Sequence, residues 1–256
     1  MTMRDPFDLS GKVAVITGAS RGIGRAAAEA MAAKGARVVI SSRNLGPCEE
    51  VASAIRDAGG EAMAVQCSIS HAEQIEGLIA ATEAAWGSVD ALVCNAAVNP
   101  YYGPLPDLPD EVFDKIMRSN VRSNLWLAKR VREGMAAKGG GSVTIVSSIA
   151  GLRASPMIAA YGVSKAADII LAKNLAQEWG PEGIRVNCIA PGLIRTDFAK
   201  ALWEDGARVA ERNAATPLRR IGEPEEIGGI VAFLASGAAS FITGETIVAD
   251  GGVTSV

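Results

Sequence analysis

Val13-Ala14-Val15-Ile16-Thr17-Gly18-Ala19-Ser20-Arg21-Gly22-Ile23-Gly24 decides how this chain folds. Val13–Thr17 reads as a buried strand. Three glycines follow at the spacing TGxxxGxG. An alanine-rich helix, Ile23–Lys34, comes next and ends at Gly35. This is not the GxGxxG fingerprint, but the mechanics are the same. Glycine permits the tight turn and a close backbone approach to a ligand. The helix N-terminus then presents free N–H groups and the positive end of its dipole. Such a junction is a place to hold a pyrophosphate. Gly18, Ser20, Arg21, Gly22, Ile23 and Gly24 are therefore candidate nucleotide-binding residues.

Outward from this unit the chain alternates strand and helix. Strands are expected at Val38–Ser41, Ala62–Gln66, Ala91–Cys94, Val143–Ser147, Arg185–Ile189 and Thr246–Ala249. Helices are expected at Pro47–Ala58, Ala72–Trp86, Glu111–Lys138, Ile158–Trp179 and Pro224–Leu234. Seven strands separated by helices make an α/β fold: a mostly parallel sheet with helices on both faces. Right-handed crossovers make it one doubly wound Rossmann-type domain spanning 1–256. Its cofactor half is expected at about 1–145 and its catalytic and substrate half at about 146–256.

Composition removes several function classes. The net charge is −3, with no basic stretch interleaved with aromatics, so nucleic acid is not an expected partner. The sole histidine, His71, excludes a Ser-His-Asp triad and any multi-histidine metal site. It follows Ser70, an expected N-cap. Cys48, Cys67, Cys94 and Cys188 form no CxxC and read as reduced, buried thiols of a cytoplasmic protein. Met1–Lys12 has no apolar h-region. Ile227–Gly244 carries no charge, yet glycines and hydroxyl residues break it, so a buried helix, a turn and a strand start are expected rather than a membrane span.

The end of the second strand bears on the cofactor. An NAD site usually places an acid there to hold the ribose hydroxyls. This chain has Ser41-Ser42-Arg43-Asn44 instead. Ser42 and Arg43 suit a 2′-phosphate, with Arg21 as a second positive charge, so NADP is expected over NAD.

The chemistry lies in Tyr161-Gly-Val-Ser-Lys165, with Ser148 thirteen residues ahead of the tyrosine. A tyrosine and a lysine four apart on a helix share one face. An ammonium near a phenol is expected to pull its pKa down from about 10 toward working pH. Tyr161 is thus a candidate general acid/base. Beside a nucleotide site, this implies hydride transfer between a nicotinamide and a carbonyl, with the tyrosine handling the proton. Ser147 is an alternative to Ser148, since neighbours on a strand point to opposite sides.

Over its whole length the chain resembles the short-chain dehydrogenase/reductase family. The resemblance rests on Thr17–Gly24, Asn95-Ala96-Ala97, Asn120, Ser148, Tyr161-x-x-x-Lys165, Pro191-Gly192 and Asp250-Gly251-Gly252, in the family's order. It implies Tyr161 as acid/base and Lys165 as ribose ligand and pKa modifier. It implies Ser148 on the substrate oxygen and Asn120 as anchor of a relay water. Asn95, Ala96 and Ala97 would lie along the adenosine side, with Pro191, Gly192 and Ile194 beside the cofactor and Thr196 on the carboxamide. Where many relatives carry an acid after the third strand, Cys67-Ser68-Ile69 offers only Ser68 and Ile69.

Leu193–Arg212 is the expected lid. Phe198, Leu202 and Trp203, with Leu152, Met157, Tyr101, Tyr102 and Pro156, are candidate walls for a hydrophobic ketone, aldehyde or secondary alcohol. Asn95-Ala-Ala-Val-Asn-Pro and Pro191-Gly-Leu-Ile-Arg-Thr are similar to the NADP-dependent carbonyl and tropinone-type reductases. Thr254-Ser255-Val256 does not match the peroxisomal address some of those relatives carry. One alternative is a 3-oxoacyl carrier-protein reductase docking an acidic carrier on Lys129, Arg130 and Arg132, against which Glu182 counts. Another is a redox sensor that binds a dinucleotide without turnover. Val112, Ile116, Leu125, Leu127, Ile169, Ile170 and Leu171 cover more than one stripe of the long helices. With the family's arrangement, this leads to an expected homotetramer of 222 symmetry.

Overall fold

The structure is a computed structural model that describes residues 5–154 and 156–255. Readings of the termini that involve residues 1–4 and Val256 lie outside the described residues. The strands are β1 (Val13–Thr17), β2 (Arg37–Ser42), β3 (Glu61–Gln66), β4 (Ala91–Cys94), β5 (Gly141–Val146), β6 (Ile184–Pro191) and β7 (Thr246–Ala249). They form one sheet in the order β3-β2-β1-β4-β5-β6-β7, and every pairing is parallel. The order reverses between β1 and β4. The two crossovers there leave a crevice beyond the strands' carboxyl ends.

The helices are α1 (Gly22–Ala32), α2 (Leu45–Asp57), α3 (Ala72–Trp86), α4 (Asp110–Met117), α5 (Ser123–Ala137), α6 (Ala159–Trp179), α7 (Lys200–Trp203), α8 (Gly206–Ala215) and α9 (Pro224–Ala235). Alternate residues of the strands feed two cores. Ala14, Ile16, Val38 and Ile40 pack with Ala27, Met31, Val51 and Val231 of α1, α2 and α9. Val15, Val39 and Leu92 pack with Leu78, Leu127 and Leu175 of α3, α5 and α6. The period of two in the strands thus serves helices on both faces. Gly228 lets α9 cross α1 closely: a Cβ there would stand 2.6 Å from the Ala26 carbonyl oxygen.

Three expectations change. The single helix over Glu111–Lys138 is interrupted: a π turn over Arg118–Arg122 separates α4 from α5. Such a single-turn π bulge inside a helix carries no glycine or proline here to mark it in the sequence. His71, not Ser70, is the N-cap of α3, while the Ser70 hydroxyl lies 3.1 Å from that of Ser119. The uncharged Ile227–Gly244 run completes α9 and a 3-10 turn, Gly237–Ala239, but stops short of β7. No helix among the described residues is long and apolar enough to cross a membrane.

Candidate active site

The glycine turn is held by β4. Thr17 Oγ1 accepts the N–H groups of Asn95 and Ala96 at 3.1 and 3.2 Å. Asn95 Nδ2 donates to the carbonyls of Thr17 and Gly18 at 2.9 and 3.1 Å. Gly18 and Gly22 have φ of +65° and +55°, which side chains resist. A Cβ on Gly24 would stand 2.4 Å from the Gly18 carbonyl oxygen. Arg21, the N-cap of α1, makes no side-chain cap, so the first-turn N–H groups remain for a ligand. A cradle open only to glycine, below an uncapped helix start, fits a pyrophosphate. Gly18, Ser20, Arg21, Gly22 and Ile23 line the resulting cleft, whereas Gly24 lies beneath the turn. Asn95, Ala96 and Ala97 line it too, but the Asn95 amide is engaged in buttressing the turn.

At the end of β2, Ser42, Arg43 and Asn44 line the same cleft. Ser42 Oγ donates to the Asn44 carbonyl at 3.1 Å. The exposed guanidinium of Arg43 makes no hydrogen bond or ion pair among the described residues. Arg21 lines the cleft too, and its exposed Nη1 lies 3.5 Å from Oδ2 of Asp197 in the segment after β6. Ser68 and Ile69 line the wall beyond β3, where the Ser68 N–H donates to Gln74 Oε1 at 2.7 Å.

Tyr161 and Lys165 lie in the first two turns of α6 and share a face, as their spacing requires. Lys165 is buried. Its Nζ donates to the Val146 carbonyl at 2.9 Å and to Asp168 Oδ2 at 3.0 Å, and lies 5.6 Å from the Tyr161 ring centroid. Ser148 lines the cleft beside the phenol and favours its ionised form. The two serines differ in what their hydroxyls meet. Ser147 is buried and its hydroxyl donates to the Lys165 carbonyl at 2.8 Å, behind the cleft. Gly151 allows this segment to lie on α6, since a Cβ there would stand 2.6 Å from the Lys165 carbonyl carbon.

Burial pushes the Tyr161 phenol above its ordinary range; Lys165 pulls it down and Asp168 pushes it up again. This corrects the expected lowering of its pKa: exclusion of water and a neighbouring carboxylate outweigh the ammonium. For Lys165, burial disfavours the charge, but Asp168 and Tyr161 outweigh it and raise the pKa.

Asn120 sits in the π turn, fully buried. Its side chain accepts from the Val98 N–H at 2.8 Å and donates to the Val98 carbonyl and Ser164 Oγ, both at 3.0 Å. It lies behind the cleft wall rather than in it.

One cleft of about 960 Å³ runs from the glycine turn to Tyr161 and on to the lid. Pro191 at the end of β6, and Gly192, Ile194 and Thr196 beyond it, line it. Asp250 packs against Gly192 and closes its own turn, accepting the N–H groups of Gly252 and Thr254 at 2.8 Å each. Of the lid residues, Phe198 and Leu202 line the cleft, with the Phe198 ring 6.1 Å from that of Tyr161. Trp203 lies outside the lining: its Nε1 donates to the Thr196 carbonyl at 2.8 Å and the Arg195 guanidinium stacks on it. Leu152 and Met157 are exposed beyond the lining, while Tyr101, Tyr102 and Pro156 belong to it. The sequence reading missed Asn124 and Asp168. A buried acid one turn after Lys165 on the same helix was the available signal.

The family profile described as enoyl-(acyl carrier protein) reductase matches residues 18–254. The chain is 46% identical to dehydrogenase/reductase SDR family member 4 of Bos taurus, over 98% of this chain and 90% of that protein. It is 38% identical to tropinone reductase-like 3 of Erythroxylum coca, over 96% of this chain and 94% of that protein. Among solved structures, a gluconate 5-dehydrogenase from Burkholderia cenocepacia, in complex with NADP and tartrate, superposes with a TM-score of 0.94. It is 34% identical, and 98% of each chain is covered. Fold, motifs and kinship make this chain a member of the short-chain dehydrogenase/reductase family, an oxidoreductase that works with a nicotinamide cofactor.

Proposed function

We propose that the chain is an NADP-dependent carbonyl reductase for small hydrophobic substrates, with Tyr161 as general acid/base and Ser148, Lys165 and Asn120 in support. The observation that carries this reading is the single cleft joining the glycine turn, Arg43 and the Tyr161 phenol. A bound nicotinamide dinucleotide supplies or accepts the hydride. In reduction, Tyr161 delivers a proton to the carbonyl oxygen as the carbon takes the hydride; in oxidation it takes the proton back. The Ser148 hydroxyl donates to that oxygen and favours the charge developing on it. Lys165 holds positive charge next to the phenol and would bind the ribose. Asn120 would anchor a relay water, as the family resemblance implies, beside the Asn124 amide that its main-chain carbonyl already accepts at 2.6 Å. Gly18, Ser20, Gly22 and Ile23 would hold the pyrophosphate, and Ser42 and Arg43 the 2′-phosphate. Ala96, Ala97, Ser68 and Ile69 would flank the adenosine. Pro191, Gly192, Ile194 and Thr196 would support the nicotinamide.

Phe198, Leu202 and Pro156 give the substrate end an apolar wall. The carrier-protein alternative loses support because two of its three docking bases are paired: Arg130 with Glu76 and Glu83, and Arg132 with Glu182. We read the chain as one domain, since both cores share one sheet. We place it in the cytoplasm, because all four cysteines are free thiols. We further propose a homotetramer. Of the helix residues expected at the contact, Ile116, Leu127 and Ile169 are buried in the chain's own core and Ile170 is exposed, as are Val163 of α6, Phe113 of α4, Val248 of β7 and Phe241 just before it. The exposed ones suit two separate two-fold contacts.

A spectrophotometric panel of ketones, aldehydes and an acetoacetyl thioester, run with NADPH and with NADH, tests the reading. Turnover of small hydrophobic carbonyls with NADPH is expected. Tight dinucleotide binding without turnover of any of them would sink it in favour of a sensor. Turnover of the thioester alone would favour the carrier-protein enzyme.

A further inference from the structure

Asp168 is a buried acid without a role in the reaction as described above. It lies one turn beyond Lys165 on α6. Its Oδ2 accepts from Lys165 Nζ at 3.0 Å, and its Oδ1 accepts from Asn124 Nδ2 at 2.9 Å. The same Asn124 amide donates to the main-chain carbonyl of Asn120 at 2.6 Å. Asn120 in turn donates to Ser164 Oγ, which donates to the Tyr161 carbonyl at 2.7 Å. Lys165, Asp168, Asn124, Asn120 and Ser164 thus form one chain of bonds behind the cleft, running from the Lys165 ammonium to the Tyr161 carbonyl. Its members come from α6, α5 and the π turn.

An ammonium removed from water needs a counter-charge, and the Val146 carbonyl alone does not supply one. The Asp168 carboxylate does. The same carboxylate offsets the positive field at the phenol, where the lysine alone would favour the phenolate. The other titratable groups facing this pair are the thiols of Cys94 on β4 and Cys188 on β6, the latter donating to the Asp168 main-chain carbonyl at 3.4 Å. Burial pushes both thiols far up, so they remain neutral. Lys173, further along α6, acts on Cys188.

We propose that Asp168 is a positioning residue that holds the Lys165 ammonium against β5 and offsets its charge, so that Tyr161 keeps its proton at neutral pH and is set for carbonyl reduction. This rests on the assignment of Tyr161 and Lys165 given above. The sign of the effect does not depend on which of the two loses its proton first. Removing a nearby negative charge eases proton loss from either.

The test is a pH titration of tyrosinate absorbance in the full chain. The chain has three tyrosines, so Tyr161→Phe, subtracted from the parent, isolates the signal of Tyr161. The same subtraction is made in the Asp168→Asn background. Asp168→Asn is expected to move the Tyr161 midpoint down by about one pH unit or more, the scale of one nearby charge. The pH at which carbonyl reduction fades is expected to fall with it. An unchanged or raised midpoint, with only a lower melting temperature, would overturn the proposal by showing a structural role alone. If Asp168→Asn does not fold, Asp168→Glu decides. It keeps the charge but moves the carboxylate, so the midpoint should stay near the parent's while KM for the dinucleotide rises several-fold. An unchanged KM would overturn the positioning role. Carbonyl reduction that survives in Tyr161→Phe would instead defeat the acid/base assignment, whatever Asp168 does.

Discussion

Arg21 and Asp197 meet across the mouth of the cleft, with the arginine Nη1 3.5 Å from the aspartate Oδ2. One belongs to the glycine turn and the other to the segment leading into α7. Both side chains are well exposed, so the pair contributes at most about 1 kcal/mol and opens easily. A 2′-phosphate would compete with Asp197 for the same guanidinium. Asp197→Asn is therefore expected to lower KM for NADPH by up to about fivefold and to leave KM for NADH unchanged. Initial-rate kinetics with both cofactors check this. An equal change for the two would assign the pair to lid motion instead.

Arg43 faces the cleft with its guanidinium unpaired among the described residues, in contrast to Arg21. NADPH should bind more tightly than NADH. Arg43→Asp should reverse that order by setting a carboxylate against the 2′-phosphate. Fluorescence titration of both cofactors against both proteins measures it. Equal affinities in the parent would count against the assignment.

Tyr161→Phe keeps the ring that packs near Phe198 and removes only the hydroxyl. Dinucleotide binding and melting temperature should hold, while turnover falls by about 10²–10⁴-fold, the usual contribution of a general acid. A variant that keeps most of its rate would exclude Tyr161 from the chemistry.

Lys165→Ala removes the group that pulls the phenol down, so burial acts on Tyr161 with less opposition. The phenol's pKa rises. Alcohol oxidation requires the phenolate, so its pH–rate curve should turn on at higher pH than in the parent. The same change strands Asp168 as a buried, unpaired charge, which costs about 3–5 kcal/mol of stability. Lys165→Ala with Asp168→Ala should recover much of that stability and none of the activity. Calorimetry beside rate profiles separates the two effects. Identical melting of the single and double variants would mean that the pair is not ionised.

Light scattering at micromolar concentration should give four times the 26.4 kDa of one chain. A mass near one chain would defeat the assembly proposal, and twice that mass would leave only one two-fold contact standing. Ile170→Asp, on the exposed face of α6, should reduce the tetramer to a smaller species without loss of helix content.

The strand, glycine turn and helix of Val13–Ala32 were legible from residues adjacent in the chain, because strand period, left-handed glycines and helix propensity are local properties. The parallel sheet followed from alternation and the handedness of crossovers. Tyr161 and Lys165 could be paired from spacing alone, since one helical turn sets their relation. What needed the folded molecule was everything that depends on distance between separate elements and on the exclusion of water. Arg21 meets Asp197 across 176 positions of sequence. Asn124 reaches Asp168 across 44. The π turn that seats Asn120 has no glycine or proline to announce it in the sequence. The family's spacing favoured Ser148 over Ser147, but only the fold shows that the Ser147 hydroxyl is bonded to the Lys165 carbonyl. The Tyr161 phenol was expected to be acidified by its lysine, but burial and Asp168 reverse the balance. A charge pair's effect depends on the dielectric around it and on every other charge within reach, and neither is written in the spacing of residues along one helix.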